Sequence, residues 1–147
     1  MDNKPGFCAI GIYHTKAAIN VGTLIRSAVA FGANFVFTIG RRYEKQNSAV
    51  KTDRHIPIFH YPDFDDFKHH LPKNARLVCV EISEKAVSIC TFKHPKQAVY
   101  LLGAEDHGLP PQIMNGFQVV ELPGQYCLNV ASAGTIVLYD RFLKMGT

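Results

Sequence analysis

Residues Ala98 to Pro110 read AVYLLGAEDHGLP. The apolar run Ala98 to Leu102 has no polar break and stops at Gly103, as expected of a strand buried on both faces of a parallel sheet. A glycine directly after a strand allows close backbone approach to a ligand, so the loop Gly103-Ala104-Glu105-Asp106-His107-Gly108 is a candidate binding segment. Its spacing resembles half of a phosphate-binding Walker A loop, but Leu109-Pro110 stands where that loop needs Lys and Ser or Thr. The chain has no G-x-G-x-x-G either, which argues against a dinucleotide fold.

Other apolar runs flank this one along the whole chain. Phe7 to Tyr13, Phe35 to Ile39, Ile56 to Tyr61, Arg76 to Ile82 and Phe117 to Leu122 read as further strands. Asn20 is a good N-cap, and Val21, Leu24, Ile25 and Ala28 follow a helical stripe up to Gly32. Asp63, Asp65 and Asp66 open a short helix through Phe67 to Leu71 that Pro72 stops. Asn129 caps a C-terminal helix that begins with small residues, Ala131-Ser132-Ala133-Gly134, suited to tight packing or to close ligand contact. Strands alternating with helices predict an α/β fold, a mainly parallel sheet with helices on both faces and its ligand sites beyond the carboxyl ends of the strands.

The chain has 147 residues, 47% of them hydrophobic and 19% charged, which predicts one folded domain over 1–147 and excludes disorder. The net charge of +4 favours a polyanionic partner only mildly. The basic residues cluster, however: Arg41, Arg42, Lys45, Lys51 and Arg54 follow the second strand and form a candidate RNA-binding patch or a solvated loop. The four cysteines lack C-x-x-C spacing and the seven histidines lack a ligand set, so no metal is expected and the thiols read as reduced. No apolar window approaches membrane-span length, which leaves a cytoplasmic protein.

Three segments in order, NVGTLIRSAVAFGA (Asn20 to Ala33), LLGAEDHGLP (Leu101 to Pro110) and VVELPGQYCLNVASAGTIVLYD (Val119 to Asp140), resemble the three motifs of the SpoU branch of the SPOUT superfamily. The resemblance spans most of the chain. It departs in motif two, where Asp106 and His107 intervene before Gly108, and in motif three, where Ala131 stands in a position more often serine.

The resemblance implies a C-terminal deep trefoil knot, rare among proteins, and a homodimeric RNA ribose 2′-O-methyltransferase that uses S-adenosyl-L-methionine. It places the cofactor against Gly103, Leu122, Cys127, Leu128 and Ala131, with Val80 and Ile82 closing the pocket. It makes Arg26, Asn20, Glu105 and Asn129 the catalytic set, with Glu105 holding Arg26 or Asn20 across the subunit interface. A guanidinium with a pKa above about 12 is a poor base. Orienting the hydroxyl and stabilising developing negative charge is the better role for Arg26. His107 is a further candidate substrate contact.

Transfer RNA is the expected substrate, because a chain of this length leaves no room for an appended RNA-binding domain; ribosomal RNA is the alternative. Two other readings are a relative that methylates a base and a catalytically silent RNA-binding protein of the same fold. The presence of Arg26 with Asn20 argues against the first, and of Arg26 with Glu105 against the second. The target nucleotide, and any need for a partner protein, are not legible in the residues.

Overall fold

Side chains alternate in direction along a strand, so an unbroken apolar run must find cover on both faces. The structure, a computed structural model, describes residues 6–42, 55–124 and 128–146. Its described residues form strands β1 (Cys8–Tyr13), β2 (Phe35–Ile39), β3 (Ile58–Tyr61), β4 (Arg76–Val80), β5 (Val87–Ser88), β6 (Ala98–Leu102) and β7 (Gln118–Glu121). All pair in parallel, in the order β3-β2-β1-β6-β4-β7-β5. Helices α1 (Ala18–Ala30), α2 (Phe64–His70), α3 (Pro111–Met114) and α4 (Val130–Met145) complete the fold.

In β6, Tyr100 and Leu102 join Ile10, Leu24, Ile25, Val137 and Leu138 on the face covered by α1 and α4. Val99 and Leu101 join Phe37, Phe67, Ile113 and Met114 on the face covered by α2 and α3. Phe37 and Phe67 stack there at 4.8 Å between ring centres. Asp63 caps α2 by accepting from the Asp66 amide, as its acidic start suggests.

The structure differs from the sequence expectation in several places. Strand β5, a 3-10 turn at Ile89–Thr91 and α3 were not anticipated, since elements of two to four residues are too short to show a period. Strand β4 ends at Val80 rather than Ile82, so Glu81 and Ile82 already belong to a loop. Asn20 is not an N-cap. Helix α1 starts at Ala18 behind Ala17, which offers no side-chain cap, and Asn20 lies inside the first turn, where its amide donates to the Ala17 carbonyl.

The small residues of α4 serve this chain's own packing. A Cβ on Gly134 would stand 2.5 Å from Leu24 Cδ1 and 3.0 Å from Leu102 Cδ1, so α4 presses on α1 and the sheet. Ser27 and Thr135 share a hydrogen bond of 2.6 Å across the same contact. Ala28, Ala131 and Gly134 are buried within one chain, so tight packing is the use these small residues serve.

The far end of α4 is fixed by a buried polar network. Arg141 donates to the carbonyls of Pro95 (2.6 Å), Lys96 (2.8 Å) and Phe7 (3.4 Å) and to the Tyr100 hydroxyl (3.2 Å). His94 lies 2.6 Å from both that hydroxyl and Asp140. Burial holds the His94 pKa below its ordinary value despite the pull of Asp140, and pushes Tyr100 up to about 12. A neutral His94 with its proton on Nε2 fits both contacts, donating to Asp140 and accepting from Tyr100.

Candidate active site

Chain order and strand order diverge where β6 inserts between β1 and β4. Beyond the carboxyl ends of β4, β6 and β7 lies a cavity of about 290 Å³, in the position where open α/β sheets bind ligands. One wall is the loop after β4, with Val80, Glu81 and Ile82. A second is the loop after β6, from Gly103 to Gly108, closed on itself by a bridge between Ala104 and Gly108. The third combines Leu122 and Pro123 after β7 with Leu128, Val130 and Ala133 around the start of α4.

Two glycines allow the second wall its shape. A Cβ on Gly103 would sit 2.5 Å from the Gly108 carbonyl carbon, so the two arms of the loop touch backbone to backbone. Gly108 itself has φ +62°, a conformation that costs other residues strain.

The residues expected to act together divide. Three of the four catalytic candidates meet within one chain: Asn20 Nδ2 donates to Glu105 Oε1, and Asn129 Nδ2 donates to Asn20 Oδ1 at 3.0 Å. Asn129 also caps α4, its Oδ1 accepting from the amides of Ala131 (2.9 Å) and Ser132 (3.2 Å). Glu105 therefore holds Asn20 inside the subunit, which corrects the expectation of a hold across an interface. Arg26 is exposed on α1 and has no hydrogen bond or ion pair to a described residue.

Of the residues expected to hold a cofactor, Val80, Ile82, Gly103, Leu122 and Leu128 line the cavity. Ala131 does not, being 1% exposed with its amide given to Asn129; Val130 and Ala133 take its place on the wall. Cys127 lies outside the described residues, as do Lys45, Lys51 and Arg54. His107 is on the cavity wall.

Thr15 and Lys16, in the loop after β1, were missed by the sequence reading and complete the Glu105 site. Thr15 Oγ1 donates to Glu105 Oε1 and the Lys16 amide to Oε2, at 3.3 and 3.2 Å. The Lys16 ammonium pairs with Asp106, and its carbonyl accepts from Arg41 Nη1. Arg42 is exposed near His60, whose pKa it helps burial to lower. Both loop residues follow a strand directly, the position that the carboxyl-edge rule singles out, and that signal could have found them.

Burial acts to raise the Glu105 pKa, but hydrogen bonds from its own backbone, Asn20, Lys16 and Thr15 outweigh it and hold the carboxyl below its ordinary 4.5. A depressed carboxyl stabilises the fold fully above the unfolded value and loses that contribution as pH falls from there through the folded value. Glu105→Gln should therefore be less stable than wild type at neutral pH, with the gap closing below about pH 4.5. Urea midpoints of the two proteins at stepped pH measure it, and a gap that does not narrow as pH falls below about 4.5 would refute the assignment.

The model of the SpoU rRNA Methylase family matches residues 8–139. This chain belongs to that family. Solved structures share the fold of this SpoU family member. The protein of a structure on "the 2-OH methylation of C/U34 on tRNA" superposes with a TM-score of 0.82 at 22% identity, over 95% of this chain and 96% of that one. An AdoMet-bound rRNA methyltransferase from Sinorhizobium meliloti gives 0.81 at 24% identity, over 97% of this chain and 58% of that one. The SpoU methyltransferase AviRb from Streptomyces viridochromogenes gives 0.82 at 21% identity, over 97% of this chain and 61% of that one. No curated protein matches the sequence.

Proposed function

We propose that this SpoU family methyltransferase transfers a methyl group from S-adenosylmethionine to a ribose 2′-hydroxyl of transfer RNA, working as a homodimer. The observation that carries the reading is the cavity walled by three post-strand loops, with Glu105 on its wall tied to Asn20 and Asn129. The cavity suits the cofactor. Val80, Leu102, Leu122, Val130 and Ala133 offer apolar surface to an adenine, and Gly103 lets backbone rather than side chain form one wall.

When bound, the cofactor would supply an electrophilic methyl on a positively charged sulfur, to be aligned in line with the ribose oxygen. The chain's residues then have two tasks, alignment and care of the hydroxyl proton. The Glu105–Asn20–Asn129 chain fixes the loop after β6 against α1 and α4. Arg26 orients the hydroxyl and its flanking phosphate and stabilises the developing alkoxide, while the proton leaves to phosphate or water. Arg41 and Arg42, with the rest of the basic stretch, hold RNA phosphates.

Transfer RNA is favoured over ribosomal RNA because the structure on tRNA 2-OH methylation superposes over 95% of this chain and 96% of that one. Ile136, Tyr139 and Leu143 leave an exposed apolar stripe on α4, at 40%, 50% and 66% exposure, that supports the homodimer. The trefoil knot belongs to the same proposal and agrees with the strand order and the return of α4 to α1. So does cytoplasmic residence, with no described helix long and apolar enough to cross a membrane.

Calorimetry with S-adenosylmethionine, followed by mass-spectrometric mapping of nucleosides after incubation with transfer RNA and with ribosomal RNA, tests the reading. Binding and a new 2′-O-methyl nucleoside in transfer RNA are expected. Absence of binding at about millimolar cofactor by folded protein would sink it, and a methyl on a base nitrogen would move the enzyme to another branch of the superfamily.

A further inference from the structure

Among the described residues, four side chains on the cavity wall can ionise, Glu81, Glu105, Asp106 and His107, and none of them is a lysine or arginine. Their carboxylates are not equivalent. Glu105 is enclosed by donors from Thr15, Lys16 and Asn20, and Asp106 is neutralised by the Lys16 ammonium. Glu81 has no cation within ion-pair distance among the described residues.

Its carboxylate is nevertheless fixed in place. Oε1 accepts from the Ile82 amide at 3.0 Å and Oε2 from the Leu109 amide at 2.9 Å, so the group bridges the loops after β4 and β6. The bridge is close enough that a Cβ on Gly108 would stand 2.3 Å from Oε2. Two backbone donors satisfy only part of a carboxylate's acceptor capacity, and no cation among the described residues pairs with the charge beside the cavity. A rigid anion at the wall of a partly apolar cavity is screened less than one on open surface, so it discriminates between ligands by charge.

We infer that Glu81 is a specificity-determining residue that makes the cavity favour a cationic occupant over a neutral one of the same shape. The inference rests on the cofactor reading above. Methyl transfer converts a sulfonium into an uncharged thioether, so the same carboxylate that attracts S-adenosylmethionine holds the product S-adenosylhomocysteine less strongly and favours its exchange.

Binding of three ligands to the wild type and to Glu81→Gln tests this: S-adenosylmethionine, S-adenosylhomocysteine, and sinefungin, which carries an ammonium near the sulfonium position. Glutamine keeps an acceptor for one of the two amides while removing the charge. The variant should bind the two cations about tenfold more weakly, the order expected for one charge pair at the screening of a protein surface. Its affinity for the neutral thioether should change by less than about twofold. Equal weakening of all three would reduce Glu81 to a loop clamp, and no change in any would remove it from the site.

Salt dependence of the wild type provides the second measurement, decisive even if the variant does not fold. The preference for S-adenosylmethionine over S-adenosylhomocysteine should shrink as ionic strength rises from about 0.05 to 0.5 M, and a constant preference overturns the inference. Failure of the wild type to bind any of the three ligands would instead remove the cofactor reading itself.

Discussion

Arg26→Ala is expected to lower RNA methylation by at least about a hundredfold, the scale of losing one charged group that stabilises a developing anion, with S-adenosylmethionine affinity and fold nearly unchanged. The position of Arg26 explains the separation. It is exposed on α1, does not line the cavity and has no partner among the described residues, so its loss removes no described packing contact or hydrogen bond. A side chain with no partner among the described residues of its own chain is available to a site on a second copy.

Mixing two inactive proteins tests that arrangement. One carries Arg26→Ala and the other a blocked cavity. Ala133→Trp is the better block, because Ala133 faces the cavity from α4, whereas any side chain on Gly103 would first collide with the Gly108 backbone and distort the loop that carries Glu105. Random re-association should restore activity toward about a quarter of wild type, since about half the dimers are mixed and each has one intact composite site. With mixed dimers verified by mass spectrometry, no recovery would mean that Arg26 serves its own subunit or none. A cofactor affinity lost along with activity in Arg26→Ala would place it in the cavity instead.

The second large effect lies at the opposite end of α4. Arg141→Met should cost about 3–5 kcal/mol of stability, as when one member of a buried charged network is removed. Methionine fills similar space but leaves the carbonyls of Pro95 and Lys96 and the Tyr100 hydroxyl without the donor Arg141 gives them, while the Phe7 carbonyl keeps the Ala98 amide. Tyr100→Phe deletes one acceptor of Arg141 and the donor to His94 and should cost nearer about 2 kcal/mol, two ordinary hydrogen bonds at about 1 kcal/mol each. Urea denaturation of both variants gives the comparison. A loss below about 1 kcal/mol for Arg141→Met would show that water satisfies those carbonyls. The larger figure is a sizeable share of the roughly 5–15 kcal/mol that holds a domain together.

Neither effect could be assigned in full from the order of residues. The run Ala98 to Leu102 is legible because a strand with both faces buried must be apolar throughout, and β6 has those bounds. The cap at Asn129 is legible because its side chain reaches amides only two and three residues ahead. Both are local, as is the motif order that marked the family later matched over residues 8–139.

Asn20 shows where local reasoning stops. As a residue it suits a helix cap, yet its partners lie 85 and 109 positions away, and they draw its side chain out of that role. Arg141 reads as a solvated charge near a chain end, but it is 7% exposed and collects carbonyls from 45 to 134 positions distant. Glu81 reads as the next residue of a strand, but the strand ends at Val80, and from the loop that follows Glu81 lines the cavity. Periodicity, caps and turn residues report on neighbours within a few positions, so the sequence by itself determined the elements and the α/β class. Which polar groups meet depends on how the strands are ordered, and with them the cavity, the Glu105 network and the burial of Arg141 were decided only by tertiary structure.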